Sequence, residues 1–149
     1  MKNIRLIFIL ILAFTITACT QRNIESTHPN GLPMKVVYTK KKKDKEDLVK
    51  IEYFFENGML ESTCEYKDNK KHGKAITKYS NGKTESKENY YNGLLHGQCE
   101  YYYENGDASY TAEFYMGVSH GKWIIFNEDS KPMYEQIFDN GNLIESKIY

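Results

Sequence analysis

Three histidines recur at a fixed interval and are the first residues that suggest chemistry. Each precedes a glycine, and the pairs lie 24 residues apart: His72-Gly73, His96-Gly97 and His120-Gly121. Imidazoles bind zinc, whose ligand atoms come within about 2.0–2.1 Å of the ion. If the pairs occupy successive β-hairpins, neighbouring histidines lie two strands, or about 9–10 Å, apart. We therefore expect no bound metal, and histidines that shape corners of the chain.

Two other cysteines follow the one near the N-terminus. Cys64 and Cys99 fall at different positions of the 24-residue period. An antiparallel meander would place their Cα atoms about 14 Å apart, whereas a disulfide requires less than about 7 Å. We expect two free thiols, with an intermolecular bridge left open. His96 lies near Cys99 in sequence, but no third group is marked that would orient a nucleophilic pair.

Glutamates recur beside aromatic residues, at Glu52, Glu56, Glu100 and Glu104. Glycosidases use such carboxylate pairs, but a sheet one layer thick offers no deep pocket to raise the pKa of one carboxyl group. The sequence also lacks a glycine-rich phosphate loop, a nucleophile-elbow serine and a metal motif. We therefore expect a protein that is not an enzyme and that needs no cofactor.

The 24-residue interval also governs turns and aromatic positions. Its phases are Gly58, Gly82, Gly106 and Ser130; Gly93, Gly117 and Gly141; and Tyr66, Tyr90, Phe114 and Phe138. A period kept over four copies without insertion indicates a repeat array. Asn-Gly between two strand-like runs is typical of a hairpin with a type I′ turn, which needs positive φ at both central residues. Such turns are predicted at Asn57-Gly58, Asn81-Gly82 and Asn105-Gly106.

Alternation within each copy predicts the strands and their faces. One face of the first strands is mainly apolar and aromatic, as in Ile51, Tyr53 and Phe55, while the other mixes charge with aromatic residues. Period-2 patterning without a convincing amphipathic helix after residue 20 predicts an all-β antiparallel meander of stacked hairpins.

The repeated pattern Tyr-x-x-Gly-x-x-His-Gly, then Tyr-x-x-Asn-Gly and a closing aromatic residue, resembles MORN-type repeats. It is most similar to the bacterial MORN variant of YwqK-like proteins, a family named for an antitoxin role, over about residues 50–145. The resemblance implies stacked hairpins in an elongated, twisted single sheet that serves as a binding or spacer surface. In the last copy Ser130 replaces glycine and Ile144 replaces histidine, which is typical of a terminal capping repeat.

The N-terminus carries a targeting pattern. Lys2 and Arg5 precede an apolar run from Leu6 to Ile16 that is too short for a span of roughly 20 residues. Ile16-Thr17-Ala18-Cys19 resembles a lipobox, so residues 1–18 are predicted to be a lipoprotein signal peptide and Cys19 the lipidated residue. The alternative is an ordinary secretory signal. We expect a membrane-anchored lipoprotein of the bacterial cell envelope, with Thr20 favouring the outer membrane of a Gram-negative cell.

Three further segments follow the signal peptide. Residues 19–30 are predicted to hold the lipidated cysteine and a flexible tether, residues 31–49 a degenerate strand and a basic loop, and residues 50–149 four hairpin repeats. The basic loop, residues 40–47, has five lysines and three acids. A solvated connection is expected there, with contact to anionic headgroups left open.

Charge and aromatic content bear on the partner. After residue 18 the chain has 18 basic and 20 acidic residues, a net charge of −2, so nucleic acid is not expected as a partner. Thirteen tyrosines either stack across strands to hold a thin sheet together or form a flat surface for a protein or glycan partner, and both roles can hold at once. The candidate binding residues are Tyr101, Tyr102, Tyr103, Trp123 and Phe126, helped by unpaired edge strands. The partner is either a toxin, which an antitoxin or immunity protein would bind, or an envelope component (glycan, lipid headgroup or protein) held by a scaffold or spacer.

Overall fold

The computed structural model describes residues 20–43 and 45–149. These residues form one open antiparallel sheet, and the regular elements are all β-strands. The signal peptide and Cys19 lie outside the described residues. The strands are β1 (Thr20–Thr27), β2 (Pro33–Lys42), β3 (Lys45–Phe54), β4 (Leu60–Lys67), β5 (Lys70–Lys78), β6 (Thr84–Tyr91), β7 (Leu94–Leu95), β8 (Gly97–Tyr102), β9 (Ala108–Tyr115), β10 (Val118–Phe126), β11 (Pro132–Asp139) and β12 (Asn142–Ile148).

The strands follow one another across the sheet in chain order, which confirms the predicted all-β meander. Each strand pairs with the next, except that β6 pairs with both β7 and β8. His96 separates these two short strands, and its N–H donates to the carbonyl oxygen of Asn89 in β6. β7 and β8 are therefore one irregular strand in the position that β5 and β10 hold in their own repeats.

The Asn-Gly turns are in the predicted places, but the predicted turn type is wrong. Gly58, Gly82 and Gly106 have φ of 81°, 83° and 92°, whereas the preceding asparagines do not have positive φ. Each glycine N–H donates to the carbonyl oxygen three residues earlier, as from Gly58 to Phe55 at 2.9 Å. This is a type I turn followed by one left-handed residue, which asparagine-glycine fits as well as it fits a type I′ turn.

Two-residue turns with positive φ at both positions occur instead at the opposite edge of the sheet. They connect β4 to β5, β6 to β7, β9 to β10, and β11 to β12, at Asp68-Asn69, Asn92-Gly93, Met116-Gly117 and Asn140-Gly141. The backbone twist of such turns matches that of the flanking strands. The 24-residue period therefore alternates two kinds of turn, one at each edge.

The structure corrects the predicted tether and basic loop. Residues 20–27 are β1, which pairs with β2 along its length, because a segment that is polar apart from Ile24 can still form a solvated edge strand. The lysine-rich segment is mostly the paired ends of β2 and β3. Gly31 has φ of 83°, and its N–H donates to the carbonyl oxygen of His28. This is the same geometry as in the Asn-Gly turns of the later repeats. The N-terminal region is thus a further hairpin of the array.

The core is thin because the described residues form a single layer. The hydrophobic residues that are buried are Val36, Ala75, Cys99 and Ala112, joined by the polar Ser86. All five have small or medium side chains, which their larger neighbours can enclose. Aromatic side chains are at best half-buried, so most of them take part in both packing and surface.

The register defines the two faces, because directly opposite residues of an antiparallel pair share a face. What we call the aromatic face carries Cys64, Ala75, Glu88, Cys99 and Trp123. The charged face carries Glu52, Ile76, Lys87, Glu100 and Glu135. The predicted division into an apolar-aromatic face and a mixed face is confirmed.

Candidate binding surfaces

Tyr101 lies on the aromatic face and is held by a carboxylate. Its ring stacks on Tyr110, with centroids 4.0 Å apart and planes at 12°. Its hydroxyl donates to Oε1 of Glu88 at 2.8 Å, and the hydroxyl of Tyr90 donates to Oε2 at 2.9 Å. Burial, and after it the bond to Glu88, raise the pKa of both tyrosines above the ordinary value near 10. Both side chains are therefore fixed and neutral.

Trp123 lies further along the same face, within a row of aromatic rings. Its ring centroid is 5.2 Å from that of Phe114 and 5.1 Å from that of Phe138. Its indole N–H donates to the carbonyl oxygen of Glu113 at 3.1 Å. The tilted rings are the favoured geometry for aromatic contacts. Trp123 thus joins three neighbouring strands and offers only part of its surface to a partner.

Tyr102 lies on the charged face in a cluster with Lys87 and Glu100. Lys87 Nζ lies 3.0 Å from Glu100 Oε2 and 2.8 Å from the Tyr102 hydroxyl, which itself donates to Glu100. Hydrogen bonds from Tyr102 and Lys87 lower the pKa of Glu100. The same three residue types meet again at Tyr38, Lys50 and Glu52, and at Tyr149, Lys122 and Glu135.

Tyr103 belongs to neither face, because it lies at the edge with the Asn-Gly turns. Its hydroxyl donates to the carbonyl oxygen of Phe126 at 2.8 Å, and one repeat earlier Tyr79 donates to the carbonyl oxygen of Tyr102 at 2.6 Å. The turn asparagines bridge the same gap, as from Asn81 Nδ2 to the Glu104 oxygen at 3.1 Å. These bonds join successive hairpins, so the role of Tyr103 is structural.

The five candidate residues therefore do not form one surface. Tyr101 and Trp123 share the aromatic face, whereas Tyr103 makes a hydrogen bond between repeats. Tyr102 and Phe126 hold equivalent positions 24 residues apart. Both of these residues end their strands, β8 and β10, beside an Asn-Gly-type turn. Tyr102 and Phe126 are the pair that one partner could contact together on the charged face.

A ladder of histidine and tyrosine rings was not predicted. It runs along the edge with the two-residue turns, where successive ring centroids lie 5.0, 5.7, 5.3 and 6.2 Å apart: His72, Tyr91, His96, Tyr115 and His120. A tyrosine ring thus separates each pair of histidines. The 24-residue spacing of the histidines is visible in the sequence. Tyr91 and Tyr115 share this spacing, but the sequence alone does not show that their rings lie between the histidine rings. Among the described residues, no group of three or more metal-ligating side chains is placed to hold an ion.

Two clefts are shallow features of the sheet. One of about 420 Å³ lies between the lysine-rich hairpin and the β4–β5 turn; its lining has three lysines against two aspartates. Another of about 120 Å³ on the aromatic face lies between Cys64, Tyr66, Lys71 and Glu88.

Cys64 and Cys99 are free, as expected, and burial raises the pKa of both thiols. Neither thiol is thereby activated as a nucleophile.

An open sheet built from stacked hairpins belongs to the class of repeat-array proteins, whose long surfaces serve binding. Residues 65–84 and 89–108 match the MORN repeat, and residues 50–68 match the MORN repeat variant. These matches support a MORN-type repeat protein. MORN repeats are generally involved in protein or membrane binding, which agrees with a non-catalytic binding role.

No curated protein matches the chain. Within the described part of the chain, no helix has the length and apolar character to cross a membrane.

Proposed function

We propose that this protein is a non-catalytic, lipid-anchored binding protein of the bacterial envelope, and that its charged face binds another protein. The observation that carries the proposal is the single-layer sheet, which leaves large side chains such as Tyr91 and Tyr115 exposed, at 45% and 58%. The lipobox-like Ile16-Thr17-Ala18-Cys19 supports the anchor.

Tyr102 and Phe126 are proposed as the centre of the contact. Lys87 and Glu100 surround Tyr102 with a fixed pattern of opposite charges, which favours a partner of complementary pattern. Tyrosine and phenylalanine supply large contact areas at a low cost in side-chain entropy. Buried aromatic residues ringed by polar ones are typical centres of protein interfaces.

The partner that we propose is a toxin, which would make the protein an antitoxin or immunity protein. The resemblance to YwqK-like repeats supports this choice, and the proposed anchor would place the array where an incoming toxin meets the envelope. An envelope scaffold or spacer is the alternative, and the following experiment distinguishes it.

The test uses the full-length, tagged chain extracted from membranes of its own organism. Proteins that co-purify in stoichiometric amount are identified by mass spectrometry, and each is then produced in cells with and without this chain. Restored growth supports the toxin proposal. Recovery of envelope proteins or cell-wall material without any growth effect would move the assignment to a scaffold.

A matched pair of variants tests the surface. The double substitution Tyr102→Ala and Phe126→Ala should weaken the recovered complex at least about tenfold, as expected for the loss of two central aromatic residues. Tyr134→Ala removes an exposed tyrosine, 39% accessible, from the aromatic face and should leave binding intact. Equal binding by the double variant and the unchanged protein would reject the charged face as the site.

A further inference from the structure

The last strand, β12, is an open edge of the sheet. It pairs with β11 on one side, and no described strand pairs with its other side. Every residue of β12 is exposed, including Ile144 at 63% and Ile148 at 74%. Native proteins usually protect such an edge with proline, bulges, inward charges or a covering element. β12 contains no proline, and its bulge at Ile144 leaves the part from Glu145 to Ile148 in regular pairing with β11.

The hydrogen-bonding direction of β12 follows from its register. The N–H of Tyr149 donates to the carbonyl oxygen of Met133 in the strand beside it, at 3.0 Å. Since backbone groups alternate in direction along an antiparallel strand, Lys147 and Glu145 also turn toward β11. Ser146 and Ile148 therefore direct their N–H and C=O groups to the open side.

The sequence of this strand is self-complementary about Ser146. When two copies run antiparallel with Ser146 opposite Ser146, Glu145 of each copy faces Lys147 of the other. Ile144, the extra residue of the bulge, then lies beside Ile148 of the other copy. Opposite charges and apolar pairs at directly opposed positions both stabilise a sheet. The outward backbone groups of the two Ser146 residues also meet in this register. We propose that β12 is a dimerisation edge, through which two copies of this chain join their sheets.

The same residues exclude the neighbouring registers. A shift of two residues in one direction places Glu145 opposite Glu145, and a shift in the other places Lys147 opposite Lys147; like charges directly opposed are destabilising. A shift of one residue mismatches the outward backbone groups. The pattern thus specifies a single register, as an interface requires.

The other edge strand, β1, lacks this property. Its complementary charges, Arg22 and Glu25, lie three residues apart, and Glu25 is the extra residue of a bulge, so β1 has no regular stretch in which these two charges could oppose each other. Glu25 is also engaged by Lys35 at 2.8 Å. β1 exposes one large apolar residue, Ile24, at 51%. The partner of β12 is therefore a second β12, which gives a closed twofold dimer rather than a filament.

Charge exchange in the full chain tests the proposal. The protein is purified in detergent micelles, and its mass is followed by sedimentation velocity over a wide concentration range, with circular dichroism confirming the sheet. Glu145→Lys alone and Lys147→Glu alone should each weaken the dimer about tenfold or more, because two attractive pairs become repulsive. The double variant E145K/K147E should restore it, and a mixture of the two single variants should form heterodimers.

Arg22→Glu, on the other edge, is the matched control and should leave the dimer unchanged. A protein that stays monomeric at all concentrations overturns the proposal. So does a dimer that is as stable with Glu145→Lys as without it. Dimer loss in Arg22→Glu without loss in Lys147→Glu would transfer the interface to β1 and reject the assignment to β12.

Discussion

At the scale of single residues, Glu88 organises the middle of the aromatic face. It lies opposite Ala75 in the register, and small neighbours leave room for its side chain and for two tyrosine rings. Each carboxylate oxygen accepts one hydroxyl, from Tyr101 or Tyr90. A half-buried carboxylate is stabilised by such bonds, and in return it disfavours ionisation of both tyrosines.

This cluster should make stability depend on pH in the alkaline range. Unfolded tyrosine ionises near pH 10, whereas burial and Glu88 raise the pKa of Tyr90 and Tyr101 in the fold. The unfolded state therefore binds fewer protons above pH 10, so the stabilisation is complete below that pH and is lost progressively above it. Urea midpoints measured from pH 8 to 11.5 should fall more steeply for the unchanged protein than for Tyr101→Phe. Tyr115→Phe is the exposed control, and an identical slope for Tyr101→Phe would contradict the role of Glu88.

The sequence predicted the faces but not this cluster. Alternation with period 2 is set by backbone geometry alone, so it could assign Ile51 and Tyr53 to one face. The meeting of Glu88 with Tyr90 and Tyr101 depends on the register between β6 and β8, where the His96 irregularity shifts the pairing. The same limit explains why Tyr101, Tyr102 and Tyr103, adjacent in sequence, separate into three different environments.

At the scale of elements, the turns show which residues the period requires. Ser130 has φ of 58° in the place where three earlier copies have glycine. An L-residue in this region is strained by about 1–2 kcal/mol. Replacing it with glycine removes the strain but raises the conformational entropy of the unfolded chain, which offsets part of the gain in stability. Ser130→Gly should therefore raise the free energy of unfolding by about 0.5–1 kcal/mol.

Gly106→Val, at φ of 92°, should instead destabilise the fold, since β-branched residues resist positive φ. Chemical denaturation measures both, and a destabilised Ser130→Gly would show that the side chain has another role.

The bonds between hairpins permit a second prediction at this scale. Tyr79 and Tyr103 each donate to a carbonyl oxygen of the next repeat, but the equivalent residue Phe55 has no hydroxyl. Phe55→Tyr should place one within reach of the carbonyl oxygen of Lys78 and add about 0.5–1.5 kcal/mol of stability. Tyr103→Phe should remove a similar amount. No gain from Phe55→Tyr, alongside a loss from Tyr103→Phe, would show that the junction at Phe55 differs from those at Tyr79 and Tyr103.

The position of the turns was predictable from glycine spacing, whereas their type was not. Asn-Gly suits both a type I′ turn and the left-handed end of a type I turn, and the choice depends on how many residues the flanking strands leave unpaired. The first hairpin was missed for a related reason. Its turn at Gly31 precedes Gly58 by 27 residues rather than 24, because β2 and β3, of ten residues each, are longer than β4 and β5, of eight and nine.

At the scale of the whole molecule, each hairpin contacts only its neighbours, so stability should vary along the array. The small enclosed residues Ala75, Ser86, Cys99 and Ala112 lie in β5, β6, β8 and β9. Among the described strands, β12 has backbone partners on one side only, and it has no enclosed residue. Opening free energies range from near zero at frayed ends to the global value in the most buried strands.

In the monomer, at concentrations below those at which the chain dimerises, amide hydrogen exchange should therefore be slowest from β5 to β9 and fastest in β12. β11 separates the two possible causes, because it has partners on both sides, like the central strands, but no buried residue. If enclosure of small side chains decides stability, β11 exchanges faster than β9; if backbone pairing decides it, the two strands exchange at similar rates. We expect the first result, since a sheet without a second layer depends on the few side chains that its own neighbours can cover. Uniform protection of all strands would instead show that the array unfolds as one cooperative unit.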